Sequence, residues 1–541
     1  MRTALAGLVL AAVAGAATAL AADPALPRIE HREGKHALLV DGQPFLMLGA
    51  QANNSSNYPA LLPQVWPMLD RLHANTLEIP VAWEQVEPVE GRFDFSWLDA
   101  LIPQARERGK RLVLLWFGTW KNTGPNYAPA WVKTNGERFP RMRTRDGKTH
   151  YVLSPHHRAT LEADKRAFVA MMKRLAAIDR DHRVILVQPE NEVGSYGQPR
   201  DFGPEAEAAF QAALPEALTR ATGKSGTWSA AYGPLADSAF NAWFTARYIE
   251  EIAAAGKAVL DLPMYCNASV GDAFAKPGPS GGASGGPDWQ VIDVWKAAAP
   301  HIDLVAPDIY NRSAKSYAEY LRHYGRADNA LLIPETGNSA EYARFFWLVL
   351  GKGAIGFAPF GFDATGYSNY PLGAKEIDAA TMDAFASKYE LFAPMARTWA
   401  KIALDHPTWG AAKGDDAADQ STVMGHWRVT TQFDLWQFGE RGSSWLKADP
   451  APTVGKAVGG AVVAQLGPDE FLVAGSNVRV RISLAAAAGG ENEILLRVEE
   501  GRYDANGKWR FLRVWNGDQT DYGLNFSDTP TLLRVFMGRY Q

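Results

Sequence analysis

Between about residues 40 and 400 the chain alternates short apolar runs with longer segments of helical spacing, and eight of those runs read as strands. That texture predicts parallel strands joined by crossover helices. In order, the strand candidates are Phe45 to Ala50, Thr76 to Ala82, Arg111 to Phe117, Val184 to Pro189, Pro263 to Asn267, Leu304 to Tyr310, Leu331 to Glu335 and Ala354 to Phe360. Eight is the number that closes a (β/α)8 barrel. Leu62 to His73, Trp97 to Arg108, Ala163 to Ile178 and Met382 to Ile402 carry the helical spacing. Leu98, Leu101, Ile102 and Ala105, for example, fall at i, i+3, i+4 and i+7, one face of a helix packed on the barrel. Beyond about residue 405 that period gives way to short alternating stretches such as Val478 to Leu484, Glu493 to Val498 and Trp509 to Trp515, punctuated by Gly, Asp and Asn. The expected fold class is α/β: a (β/α)8 TIM barrel over residues 22–404, then a smaller C-terminal all-β, sandwich-like domain over 405–541. Within the barrel, the Gly-, Pro- and Ser-rich stretch Lys276 to Asp288 reads as a long loop after the fifth strand, on the side where barrels keep their active sites.

The first residues carry a different message. Met1-Arg2 is soon followed by a small, apolar run from Ala4 to Ala17, and Ala19-Leu20-Ala21 offers the small-x-small pattern that signal peptidase accepts before Ala22. Residues 1–21 therefore read as a cleaved signal peptide, and the mature protein is expected to be periplasmic or secreted. The run is alanine-dominated and shorter than the roughly 20 strongly apolar residues of a membrane span, so no membrane anchor is expected. With 55 Lys plus Arg against 59 Asp plus Glu, the net charge of −4 gives no footprint for nucleic acid. The single cysteine, Cys266, excludes an intramolecular disulfide and any multi-cysteine metal site.

In a barrel the chemistry sits at the C-terminal ends of the strands. Two strands end in groups suited to it: the fourth in Gln188-Pro189-Glu190-Asn191-Glu192, the seventh in Ile333-Pro334-Glu335-Thr336-Gly337. Carboxylates facing each other across a barrel mouth are the equipment for glycoside hydrolysis, one as proton donor and one as nucleophile. Glu190, two residues before Glu192, lies deeper and supports the site rather than reacting. Trp116, Trp120, Tyr127 and Trp131, at and after the end of the third strand, are candidates for a sugar-stacking wall, Trp120 foremost, with Lys121 and Asn122 as hydroxyl partners. Phe360 to Tyr367 is a candidate for the opposite side of the pocket. Other echoes lack context. Gly278-Pro279-Ser280-Gly281-Gly282 satisfies G-x-S-x-G inside a low-complexity loop, without the strand and helix a nucleophile elbow needs. His156-His157 are adjacent and do not share a helical face for a metal. No cofactor and no metal is implied.

Asn191-Glu192 closing strand four and Glu335 closing strand seven resemble the signature of the large clan of retaining glycosidases built on (β/α)8 barrels. Within it, Gln188 to Glu192 resembles the Q-x-E-N-E run of glycoside hydrolase family 35, the β-galactosidases, of the bacterial, xyloglucan-associated kind. The stretch from Asn75 through Trp83 and Glu87-Pro88 to Phe93-Asp94-Phe95 is similar to that family's second-strand region, and Pro129-Ala130-Trp131 to its P-x-W. The resemblance implies a retaining exo-β-galactosidase whose partner is an oligosaccharide. It implies Glu192 as acid/base, Glu335 as nucleophile, Asn191 as partner of the sugar 2-hydroxyl and Tyr310 as the group orienting the nucleophile, with Glu87 among the sugar-binding residues. The chain departs from the family at Trp83 to Pro88, at Pro189 and at Trp120-Lys121-Asn122. Three rivals stand beside this reading: a family 42 enzyme, whose F-D-F-x-W-L-D style appears at Phe93 to Asp99, an endo-acting glycanase of the same clan, and a non-catalytic sugar-binding protein. Oligomeric state is left open.

Overall fold

The computed structural model describes residues 25–440, 448–486 and 491–541. The expected signal peptide, residues 1–21, lies outside them. Eight parallel strands close into the barrel: β1 (Met47–Gln51), β2 (Thr76–Ala82), β3 (Arg111–Lys121), β4 (Val184–Asn191), β5 (Tyr265–Ser269), β6 (Leu304–Ile309), β7 (Leu332–Thr336) and β8 (Gly356–Pro359). β8 pairs with β1 at Gly356 and Met47, and β4 meets β5 through Val187, whose N–H donates to the carbonyl of Pro263 at 3.1 Å. β3 runs four residues beyond its expected end because a bulge between Trp116 and Lys121 lets it curl over the barrel mouth while still pairing with Asn191.

An antiparallel sheet, Arg28–Arg32, Lys35–Val40 and Gln43–Phe45, precedes the barrel and takes Phe45 out of the first barrel strand. Its Leu38 and Val40 are buried in one cluster with the barrel residues Val113, Ile185 and Leu304, which closes the N-terminal end and leaves the other end open for a site. Each such fully buried aliphatic side chain contributes about 1.5–3 kcal/mol.

The helix Ser96–Glu107 buries Trp97, Leu98, Leu101, Ile102 and Ala105, the face its spacing predicts. The segment Met382 to Ile402, expected as one helix, is two: Ala379–Phe392 and Ala396–Asp405 are separated by a 3-10 turn at Ala393–Met395, where Pro394 lacks the N–H a continuous helix requires. Among the described residues no helix is long and apolar enough to cross a membrane.

Strands from Thr408 onward form a six-stranded and a four-stranded antiparallel sheet. Val463, Phe471 and Val473 of the first pack against Trp427, Val480 and Phe526 of the second, a sandwich core. The alternate residues Val462, Ala464 and Leu472 join the barrel's own core instead, so the strands Gly460–Gly467 and Glu470–Ser476 of the larger sheet are buried on both faces. The approach is tight. A Cβ on Gly410 would lie 2.2 Å from the carbonyl oxygen of Trp347, in the helix Phe345–Gly351.

Candidate active site

The open end of the barrel holds a cavity of about 940 Å3 whose walls include Lys121, Asn122, Glu192, Asp308, Tyr310 and Glu335. Glu335, at the end of β7, is only 4% exposed. Its Oε2 accepts from the Tyr310 hydroxyl at 2.8 Å, and its Oε1 from Gln51 Nε2 at 3.1 Å and Asn191 Nδ2 at 3.4 Å. Three strand ends thus fix one carboxylate and leave its face turned to the cavity.

Glu192 follows β4 immediately. The backbone there is unusual: Glu190 and Glu192 have φ of 64° and 42°, a region that side chains other than glycine rarely adopt. Specific contacts hold it. Glu190 is fully buried, and its carboxyl accepts from the backbone N–H of Thr119 at 3.2 Å and of Trp120 at 2.6 Å, while the N–H of Glu192 donates to Asn267 Oδ1 at 2.9 Å. Burial, then the charge of Asp164, pushes Glu190 well above the usual carboxylate range, which suits a supporting group beneath the site. Burial and, next, the charge of Glu335 push Glu192 up to about 7, against the opposing charge of Lys121. A carboxyl so placed keeps its proton near neutrality and can give it away.

Lys121 ends β3 with its Nζ donating to Asn122 Oδ1 at 2.5 Å and Asn191 Oδ1 at 2.8 Å. Asn191 is thereby oriented by Lys121 on one side and by Glu335 on the other. Lys121, Asn122, Asn191 and Tyr310 are all brought together at this end of the barrel, and Phe360 and Tyr367 line the cavity's far side.

Two expectations fail. Trp120 is buried; its Nε1 donates to the carbonyl of Leu153 at 3.1 Å and its ring packs 4.6 Å from Tyr248. It faces the surrounding helices, because successive residues of a strand point to opposite sides and Lys121 takes the inner one. Trp116 shares that outer side, bonded to Asp164 at 2.8 Å, and Trp131 donates to the carbonyl of Glu87 at 3.2 Å. Tyr127 is hydrogen-bonded to Ser55 at 3.1 Å and packed on Phe117. The cavity's aromatic walls are Tyr196, Tyr310, Tyr320, Phe360 and Tyr367 instead. Glu87 is the second failure. It is wholly buried, accepting from Trp83 Nε1 at 3.0 Å and Gly91 N at 2.7 Å and paired with Arg166 at 2.9 Å, so it braces the loop after β2 and does not line the cavity.

Gln51, Asn267 and Asp308 were not anticipated. Asp308 stands two residues before Tyr310 on the same strand end, and the alternation that turns Tyr310 inward turns Asp308 inward as well, a signal the sequence held.

A carboxyl poised near neutrality after strand four, beside a hydrogen-bonded carboxylate on strand seven of an eight-stranded barrel, is the equipment of the glycoside hydrolases. Residues 63–258 match the model of glycoside hydrolase family 42, described as beta-galactosidase, and residues 385–527 match a domain of unknown function, DUF5597. A beta-galactosidase of an Arthrobacter species is 30% identical over 190 residues, 32% of this chain and 26% of that enzyme; one from Xanthomonas manihotis is 29% identical over 219 residues, 39% of this chain and 34% of that enzyme. The chain thus spans between about a quarter and a third of the length of these curated relatives. The crystal structure of the beta-galactosidase from Bacillus circulans sp. alkalophilus superposes with a TM-score of 0.51 at 10% identity, covering 91% of this chain and 99% of that one, a likeness of fold. The relation to β-galactosidase-type glycoside hydrolases read from the motifs therefore stands, and its finer assignment is corrected: the matching model is that of family 42, not of family 35.

Proposed function

We propose that this protein is an exo-acting β-galactosidase that works by double displacement with retention of configuration. The observation that carries the reading is the pairing of Glu192 and Glu335 on one cavity, with Glu192 held near 7 in part by the charge of Glu335. Glu335 attacks the anomeric carbon while Glu192 gives its proton to the departing glycosidic oxygen. Glu192, now a carboxylate, takes a proton from water, and that water releases the sugar from Glu335. Tyr310 and Gln51 hold Glu335 in line, and Asn191 meets the sugar 2-hydroxyl. A cavity of about 940 Å3 lies at the upper end of the range for ligand sites and has room for more than one sugar ring. The galactose preference rests on the family 42 match and on the names of the relatives. Export rests on the Ala4 to Ala21 stretch; the mass of the mature chain is expected to place its first residue at Ala22.

Hydrolysis of chromogenic β-galactosides, compared with β-glucosides and β-xylosides and with an E335Q variant, tests the activity. NMR of the first-formed sugar tests the stereochemistry, and the β-anomer is expected. A panel of galactosylated oligosaccharides, xyloglucan fragments included, reads the aglycone. No turnover by the wild type on any aryl glycoside would overturn the enzyme reading, and first formation of the α-anomer would overturn retention.

A further inference from the structure

The barrel mouth contains a third carboxyl that the two-carboxylate scheme does not use. Asp308, near the end of β6, sits between Ser269 of β5 and Glu335 of β7 in the sheet register and is 2% exposed. Its contacts are unequal. Asn267 has its amide oxygen committed to the N–H of Glu192, at 2.9 Å, so its NH2 is turned to Asp308, and Nδ2 donates to Oδ2 at 2.6 Å. The other oxygen, Oδ1, is buried and receives no hydrogen bond from any amide, guanidinium or hydroxyl among the described residues. Asn267 thus bridges Asp308 to Glu192, and the two carboxyls line the same cavity and bear on each other's ionisation. Two carboxylates so placed repel and bond only when one carries a proton.

We propose that Asp308 is a positioning residue that stays protonated beside Glu192 and donates it a hydrogen bond through its own O–H. The inference rests on the reading of Glu192 as the acid/base. The asymmetry of the pair decides where the proton stays. Both groups line the cavity, but Asp308 is buried whereas Glu192 is half-buried, so desolvation penalises the charged form of Asp308 more, and Glu192 is the group better placed to exchange protons with substrate and water. The charged groups facing Asp308 agree. Burial is the largest cause and the charges of Glu335 and Glu192 add to it, together outweighing the opposing charge of Lys121 and holding Asp308 well above the usual carboxylate range. Tyr310 beside it, Tyr265 on β5, Tyr324 on the helix Ala314–Tyr324 and Tyr196 after β4 are all pushed to higher pKa and stay neutral throughout the working range. In the first half-reaction Glu192 loses its proton to the glycosidic oxygen, and the new carboxylate finds a donor already aimed at it. Asp308 keeps its proton, so no second transfer is needed.

The test uses two variants of the full-length protein. In D308N the amide performs both tasks, its oxygen accepting from Asn267 and its NH2 donating to Glu192, so kcat/KM is expected to stay within about threefold of wild type. In D308L the donor is gone. A hydrogen bond to a charged group is worth enough to cost about tenfold or more in kcat/KM, more with a poor alkyl leaving group than with an activated aryl one. Losing a donor to the ionised form raises the pKa of Glu192, so the descending limb of the pH profile moves to higher pH in D308L and stays in place in D308N. Infrared difference spectra of the unliganded wild type against D308N, near neutral pH, are expected to lose one protonated-carboxyl band. That readout needs no turnover, so an inactive wild type would sink the proposed function without touching this inference. A D308N variant as impaired as D308L, a D308L pH profile like that of wild type, or no lost carboxyl band would each overturn it.

Discussion

Replacing Glu335 with Gln removes one charge and leaves shape and hydrogen bonding nearly intact, so its effect on Glu192 isolates the electrostatic coupling on which the proposed chemistry depends. Glu192 stands at about 7 against an ordinary 4.5, a rise of 7 − 4.5 = 2.5, with burial the larger cause and the charge of Glu335 the next. Coulomb's law bounds the second share: at the ~5.5 Å of a retaining pair and an effective dielectric of about 20, the repulsion is about 3 kcal/mol, or about two pKa units. Because burial is the larger contributor and remains in E335Q, Glu192 in that variant is expected to titrate below its wild-type value but still above the ordinary carboxylate range. Carbon-13 NMR of the glutamate carboxyls reads it directly, with the Glu192 resonance assigned from its loss in E192Q. The wild-type counterpart is kinetic: kcat/KM is expected to fall as pH rises through about 7, where Glu192 loses the proton the leaving group needs. A Glu192 that titrates in E335Q where it does in wild type, or higher, would refute the coupling and with it the account of how one carboxyl is kept as an acid.

Tyr310→Phe removes the 2.8 Å hydrogen bond to Glu335 and is expected to lower kcat about 10- to 100-fold with little change in fold, measured by steady-state kinetics and circular dichroism. Trp120→Phe is expected to leave KM unchanged while lowering the thermal midpoint, because the ring packs on Tyr248 and meets no sugar; a raised KM without a stability loss would restore it to the binding site. Lys388 is buried, with its Nζ donating to the carbonyl of Ala384 at 2.7 Å, and burial lowers its pKa to about 8. The folded form therefore pays for the charge below about pH 8, and this cost fades as pH rises through the unfolded value of 10.5, so Lys388→Met is expected to stabilise the protein by up to about 3 kcal/mol near pH 7 and by little above pH 10.5 in urea titrations. Gly410→Ala drives a Cβ to within 2.2 Å of the Trp347 carbonyl and is expected to loosen the sheet from the barrel, read as faster proteolysis between the two.

What the sequence made legible follows from how locally each feature is encoded. The barrel strands are apolar runs buried on both faces, and the helix faces carry their spacing within a dozen residues, so all eight strands and the helix Ser96–Glu107 could be placed from neighbours in the chain. Glu192 and Glu335 stood out because each closes such a run. Their partners do not announce themselves that way. Gln51, Asn267 and Asp308 are single polar residues at three other strand ends, and only closure of the barrel sets them against the two carboxyls. Trp120 shows the opposite error. Its polar neighbours Lys121 and Asn122 do line the cavity, but adjacency along a strand separates side chains to opposite faces, so the evidence that Lys121 points inward was evidence that Trp120 points outward. The family assignment erred for a related reason. Asn-Glu at strand four and Glu at strand seven answer to a pattern that the whole clan shares, so they point to a class of chemistry and not to one family. The loops that complete the cavity wall, the stretches carrying Tyr196, Ser280 and Tyr367, carry no such motif, and their positions owe more to the barrel beneath them than to their own sequence.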